Sequence, residues 1–215
     1  MESASTALPS LEIKSWREET LPALAAQILN RTPRPLILID GAAGSGKTTL
    51  AEKLAELLHA CLVHTDDVSW CADPVHWDGE MLAGIVNPWL AGKKVNYKPT
   101  GWSRGKRSGF IHADPDRAVI IEGMGACRKT MRAMAAYSIW VDTEPKIARA
   151  RVVQRDIANG ENGGTAESVT QFADRWDSLM LPLFLEEKAW DHVDLIVSGS
   201  ASDLTEEKLM IYVPR

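Results

Sequence analysis

The stretch LILIDGAAGSGKTTLAEKLAELL, Leu36 to Leu58, constrains this chain more than any other. Four apolar residues end in an acid. A run of small residues follows, then Lys-Thr-Thr, then leucines at 50, 54, 57 and 58. The apolar run has the character of a buried parallel strand. The leucine spacing is that of a helix with its apolar side on a sheet. Between them, Gly41-Ala42-Ala43-Gly44-Ser45-Gly46-Lys47-Thr48 satisfies the P-loop pattern. Backbone N–H groups surround a polyphosphate only where the chain curls tightly and no side chain intervenes, hence the glycines. The start of the helix adds free N–H groups and the positive end of its dipole. Lys47 is expected to reach the β- and γ-phosphates, and Thr48 Oγ1 to bind Mg²⁺. The expected nucleotide-binding residues are Gly41, Ala43, Gly44, Ser45, Gly46, Lys47, Thr48 and Thr49.

With 215 residues, the chain fits one domain carrying a small lid. A formal charge of −5 without a long basic run excludes broad nucleic-acid binding by charge alone. Three cysteines without CxxC spacing argue against a disulfide framework or a zinc ribbon, and for free thiols in a reducing compartment. The acidic N-terminus lacks the apolar core of a signal peptide. No stretch approaches the roughly 20 apolar residues of a membrane span. A cytoplasmic protein without a membrane partner is expected.

Residues 1–34 read as a loose tail and a helix over about 11–29, ended by the prolines of NRTPRP. Residues 35–200 form the main domain, and 201–215 a C-terminal extension packed on it. Further strands are expected at ACLVHTDD, AVIIEGMG (118–125), YSIWVDTE (137–144) and VDLIVSGS (193–200), with helices near 79–91, 146–158 and 166–188. This alternation predicts a three-layer α/β/α sandwich with a mostly parallel five-stranded sheet. The stretch 92–117, rich in glycine, aromatic and basic residues, is long enough to be functional or to carry small strands of its own.

A P-loop alone does not separate a kinase from a switch or a motor. Asp66 and Asp67 follow the second strand, and ligands gather at the carboxyl ends of parallel strands. A carboxylate there can accept a proton from an attacking hydroxyl and help hold Mg²⁺; the competing role is a helix cap. Glu122 ends the third strand and can serve the Mg²⁺ shell. Asp142 precedes a helix through TEP, where capping is the stronger expectation. Arg151 and Arg155, four residues apart, share a helical face. With Arg149 they form a cationic lid at about 145–164, with NGENGG (159–164) as its hinge. Arg104, Lys106 and Arg107 can contact an acidic acceptor or form a solvated loop. Trp70, Trp77 and Trp102 lie in segments that can face an acceptor, whereas Trp89, Trp140, Trp176 and Trp190 suit packing. The five histidines show no metal-ligand spacing, although His64 and His112 fall near the expected site.

GAAGSGKTT, HTDD, YKPTGW, VIIEG and RARVVQRD, taken together, resemble the uridine kinase family of P-loop small-molecule kinases, which is related to phosphoribulokinase and pantothenate kinase. The resemblance spans roughly 35–200. It implies ATP and Mg²⁺ as cofactors and Asp66 as the base that activates a substrate hydroxyl. It further implies Glu122 as a magnesium residue beside Thr48 and Asp66, and Tyr97 as a wall of the acceptor pocket. Arg149, Arg151 and Arg155 become a lid over the phosphates. Asp67, Trp102 and Arg104 join Tyr97 on the acceptor side. Two departures bear on the acceptor: Ala72 stands where uridine-phosphorylating members carry an acid, with Asp73 or Asp78 as substitutes, and Trp102 stands where a histidine is common. The expectation is transfer of the γ-phosphoryl group of ATP to a hydroxyl of a small molecule, a nucleoside or a related metabolite. The rivals are a regulatory nucleotide-binding NTPase without a small-molecule acceptor, and a nucleotide kinase with a basic acceptor pocket. Monomer and homodimer both stay open.

Overall fold

The computed structural model describes residues 11–200 and 208–214. Its elements in chain order begin with β1 (Arg17–Glu19), α1 (Leu21–Arg31), β2 (Leu36–Gly41), α2 (Lys47–Leu58), β3 (Cys61–His64) and α3 (Thr65–Ser69). A broken helical stretch follows: α4 (Asp78–Met81), a π turn (Leu82–Val86) and α5 (Asn87–Leu90). Then come β4 (Val95–Tyr97), α6 (Thr100–Arg104), β5 (Ile111–Ala113), β6 (Val119–Glu122), α7 (Lys129–Arg132) and β7 (Tyr137–Asp142). The chain finishes with α8 (Pro145–Asn159), α9 (Ala166–Glu187), β8 (Leu195–Ser198) and β9 (Leu209–Tyr212).

The main sheet runs β1-β9-β8-β7-β2-β6-β3. The five expected strands form its parallel core, β8-β7-β2-β6-β3. β9 and β1 add two antiparallel strands at one edge. The chain thus has a mostly parallel α/β/α architecture, with seven strands rather than five. Residues on each strand alternate between two cores, as the period of two requires. Leu36 and Leu38 of β2 enter one core, with Trp140 of β7 and Met180 and Phe184 of α9. Ile37 and Ile39 enter the other, with Leu50 and Leu54 of α2 and the buried face of α1. Leu57, expected to face the sheet, is exposed instead.

The helix expected over 11–29 is shorter and later. Thr20 caps it by accepting the N–H of Ala23, and Pro22 sits in the first turn, where a missing N–H costs nothing. Residues 17–19 pair instead with β9, and β9 comes from the segment read as an extension. The loose tail at 1–10 and the segment 201–207 lie outside the described residues. The basic, glycine-rich stretch 92–117 does carry its own small hairpin, β4 against β5. No helix among the described residues is long and apolar enough to cross a membrane. All three cysteines are free.

Candidate active site

β2 and α2 are joined by a loop in which Gly44 and Gly46 take φ of +75° and +97°, a region open to glycine at little cost. A Cβ on Gly44 would lie 2.2 Å from the carbonyl oxygen of Ala148, so this glycine also lets α8 rest on the loop. Ser45 is buried, and its carbonyl oxygen accepts the Thr143 hydroxyl at 2.8 Å. Behind the loop stands Asp40, which the sequence reading did not single out. Its carboxylate accepts the N–H groups of Gly41 (2.7 Å), Gly125 (2.9 Å) and Cys127 (2.9 Å). It thereby ties the P-loop to the turn after β6. Burial pushes its pKa up to about 6 against the pull of those N–H groups and of Lys47.

Lys47 donates to the Ala42 carbonyl at 3.3 Å, so its ammonium lies back over the loop. The Thr48 hydroxyl is 3.3 and 3.2 Å from the two carboxylate oxygens of Glu122. His64 Nδ1 contacts the same carboxylate at 2.5 Å, and this bond is the main cause of its raised pKa. Hydroxyl and carboxylate oxygens are the hard donors that suit Mg²⁺. Among the described residues no cluster of three His, Cys, Asp or Glu side chains could hold a metal by itself. Thr48 and Glu122 therefore fit an ion whose remaining ligands come from phosphate and water.

β3 ends at His64, and the two aspartates fall in the first turn of α3 rather than on extended chain. Adjacent helical residues diverge by about 100°, which separates their environments. Asp66 and Lys47 line one cleft of about 1430 Å³. The Asp66 carboxyl is solvent-accessible but stands inside this concavity. Desolvation raises its pKa, and Lys47 draws it back. Asp67 is turned the other way. Its carboxylate pairs with Arg107 at 2.6 Å, and its carbonyl accepts the Trp102 indole N–H at 2.6 Å. The Arg107 guanidinium also lies over the Trp102 ring, 4.0 Å from its centroid.

The side chains expected on the acceptor side make structural contacts of their own. Trp102 is buried in the core, with its one polar atom spent on Asp67. Tyr97 donates to Glu80 at 2.9 Å; burial first and Glu80 second push its pKa up to about 12. Glu80 also accepts the Thr100 N–H and hydroxyl, and so anchors the hairpin to α4. Tyr97, Trp102, Arg104 and Asp67 are all absent from the cleft wall. Asp78 is taken by Arg128 (2.7 Å) and Thr130 (2.8 Å), and Asp73 holds its own turn, so neither substitutes for an acid at Ala72. His112 is exposed on the hairpin.

The three arginines of α8 have different partners. Arg149 bonds Asp177 at 2.9 Å and also pairs with Asp174, which links α8 to α9. Arg155 lies along Asp156 at 2.8 Å. Both line the cleft. Arg151, three residues past Ala148, donates to the Gly199 carbonyl at 2.7 Å and reaches the Gly44 carbonyl of the P-loop at 3.5 Å, although it does not line the cleft. The cap of α8 is Glu144, not Asp142. Asp142 stands on the cleft wall with its pKa pushed up to about 6 by burial. Trp176, expected to serve packing alone, also faces the cleft, and its indole N–H is held by Met124 Sδ at 3.0 Å. No short pattern marks Asp142, Trp176 or Met124, because they converge from three separate elements.

No family model and no curated protein sequence matches the chain. Solved structures do. A candidate fructose transport system kinase from Silicibacter sp. is 24% identical, with a TM-score of 0.52, over 77% of this chain and 95% of its own. A candidate uridine kinase from Bacillus stearothermophilus is 19% identical, with a TM-score of 0.51, over 82% of this chain and 96% of its own. The chain therefore has the three-layer fold of the P-loop kinases.

Proposed function

We propose that this chain is an ATP-dependent kinase that transfers the γ-phosphoryl group to a hydroxyl of a small molecule. One observation carries the reading: Lys47 and Asp66 share a cleft wall beside the Thr48–Glu122 pair. The names given to the fold neighbours above, both small-molecule kinases, support it.

Each residue then has a defined task. The amides of 43–48 cradle the phosphates, and Lys47 leaves the Ala42 carbonyl for the β- and γ-phosphate oxygens. Thr48 and Glu122 would hold Mg²⁺, whose charge would offset that of the phosphates. Asp66 accepts the proton of the acceptor hydroxyl as its oxygen bonds to the γ-phosphorus. The bond from that phosphorus to the bridging oxygen breaks, and ADP leaves. A carboxylate whose pKa is raised by desolvation is a stronger proton acceptor than an ordinary one. Arg155 and Arg149, once released from their aspartates, bring positive charge toward the transferring group from α8. The test is ATP consumption screened against nucleosides, sugars and vitamin precursors, with mass detection of the phosphorylated product. An ADP yield that no acceptor changes would turn the assignment toward a regulatory NTPase.

A further inference from the structure

The Glu122 carboxylate is held by a residue to which the reaction above gives no task. Glu122 is 4% exposed and ends β6. Its carboxylate has two partners among the described residues. The Thr48 hydroxyl stands 3.3 Å from Oε1 and 3.2 Å from Oε2, both long for a bond between oxygens. His64 Nδ1 meets Oε1 at 2.5 Å. A carboxylate only accepts, so Nδ1 carries the proton and the imidazole is the donor. The short contact, rather than the two long ones, fixes how the carboxylate is turned.

The sheet sets this pair. β3 and β6 are parallel neighbours, and His64 stands opposite Glu122 in their register. Each is the last residue of its strand, so both lie at the carboxyl edge, where ligands gather in such sheets. The chain beyond them is tightly packed. Gly123 takes φ of +140°, and a Cβ on it would lie 1.9 Å from Oγ1 of the buried Thr65. Only glycine lets the two turns come so close, and the two strand ends keep a fixed separation.

Offsetting a buried charge is one reason for a histidine beside an acid. The division of contacts points to a second. His64 takes Oε1, while Oε2 keeps only the long Thr48 contact. A carboxylate that offers both oxygens suits Ca²⁺, a larger ion with six to eight ligands in flexible geometry. Mg²⁺ is smaller and demands near-ideal octahedral geometry, which the narrow bite of a chelating carboxylate does not fit. The imidazole acts through the carboxylate, because Mg²⁺ takes oxygen donors.

We infer that His64 is a positioning residue for the nucleotide-bound cation: it pins Oε1 of Glu122, leaves Oε2 to the ion, and so makes the site select Mg²⁺ over Ca²⁺. The inference rests on the reading of Thr48 and Glu122 as the pair that receives the ion, and it is independent of the acceptor.

The test needs no acceptor. Binding of a non-hydrolysable ATP analogue to the full chain is measured by titration calorimetry with Mg²⁺, with Ca²⁺ and with EDTA. The proteins are the wild type, His64→Phe and His64→Asn. Phenylalanine keeps a ring and removes the donor, whereas asparagine can place an amide N–H near the position of Nδ1. The wild type should bind more tightly with Mg²⁺ than with Ca²⁺. His64→Phe should lose about 10-fold in affinity with Mg²⁺, little with Ca²⁺ and nothing with EDTA. His64→Asn should recover most of the Mg²⁺ advantage. Should His64→Phe fail to fold, His64→Gln, whose amide N–H falls near Nε2 instead, carries the same expectation. An equal loss with both ions, or no loss with either, overturns the inference and leaves His64 to offset buried charge alone. A wild type without preference for Mg²⁺ over Ca²⁺ overturns it as well. If the wild type binds equally with EDTA and with either ion, the reading of Thr48 and Glu122 as the ion's pair falls first, and the inference falls with it.

Discussion

The two ends of the cleft are built in opposite ways. The phosphate end is one continuous loop between β2 and α2, and its ligand groups are mainly backbone amides. The acceptor end is assembled from side chains on α3, β7 and α9 and on the turn after β6. A site made of amides needs a glycine pattern at fixed spacing, and that pattern is legible in a single sequence. A site made of side chains needs only that distant positions converge, and convergence belongs to the fold. Damage should follow the same division: the loop fails as a unit, and the far wall fails residue by residue.

The largest effect is expected at the phosphate end. Lys47→Ala should lower kcat/KM about 10³-fold and weaken Mg·ATP binding, because it removes the P-loop's own cation from the phosphates. Titration calorimetry on the folded variant would show it; unchanged nucleotide affinity would take Lys47 out of the account. Asp66→Asn should come next, with kcat down about 10²-fold or more and ATP affinity within a few-fold. The amide keeps the shape and cannot take the proton.

Asp40 tests whether the loop's support behaves as its burial implies. Its pKa is about 6 in the folded chain and 3.8 when unfolded. Between these values the native state holds a proton that the unfolded state lacks. The contribution of Asp40 is therefore fully present below pH 3.8 and is lost as pH rises through 6. Relative to Asp40→Asn, the wild-type chain should lose on the order of 3 kcal/mol of stability from pH 4 to pH 7. Urea unfolding of both proteins across that range reads the difference, and a flat or rising difference would contradict it.

Smaller effects belong to groups outside the cleft. Asp67→Asn should cost only a few-fold in kcat, because Asp67 is committed to Arg107; its stability loss should be about 1 kcal/mol. If Asp67→Asn is the crippled variant and Asp66→Asn is not, the base has been placed one residue early. The lid expectation gives the subtlest signal. Backbone amides over 145–164 should exchange more slowly with Mg·ATP and acceptor bound, as Arg149 and Arg155 trade aspartate for phosphate. Equal exchange with and without ligands would leave α8 a fixed wall.

The same contrast explains what could be read in advance. The five parallel strands were legible as apolar runs, and the helices at 145–159 and 166–187 by their spacing. β1 and β9 were not, since β1 is a charged Arg-Glu-Glu stretch and the two pair across most of the chain. Asp66 was placed through the resemblance, and the 100° step of a helical turn is what separates its surroundings from those of Asp67. Tyr97 and Trp102 carried the chemistry of a pocket, yet Glu80 and Asp67 hold their polar atoms. Aromatic residues look alike in sequence whether they stack on a ligand or on a neighbour. Asp142 looked like a cap because a helix follows it, and Glu144, two residues nearer, took that role.

The central claim is that one cleft brings a triphosphate and a small hydroxyl together over Asp66. The most direct measurement incubates the protein with Mg·ATP and a mixture of hydroxylated compounds, and searches by mass spectrometry for a compound that gains one phosphoryl group. The expected result is one such product, formed in step with ADP, abolished by Lys47→Ala and suppressed by Asp66→Asn but not by Asp67→Asn. Release of ADP matched only by inorganic phosphate, at a rate indifferent to Asp66→Asn, would contradict it.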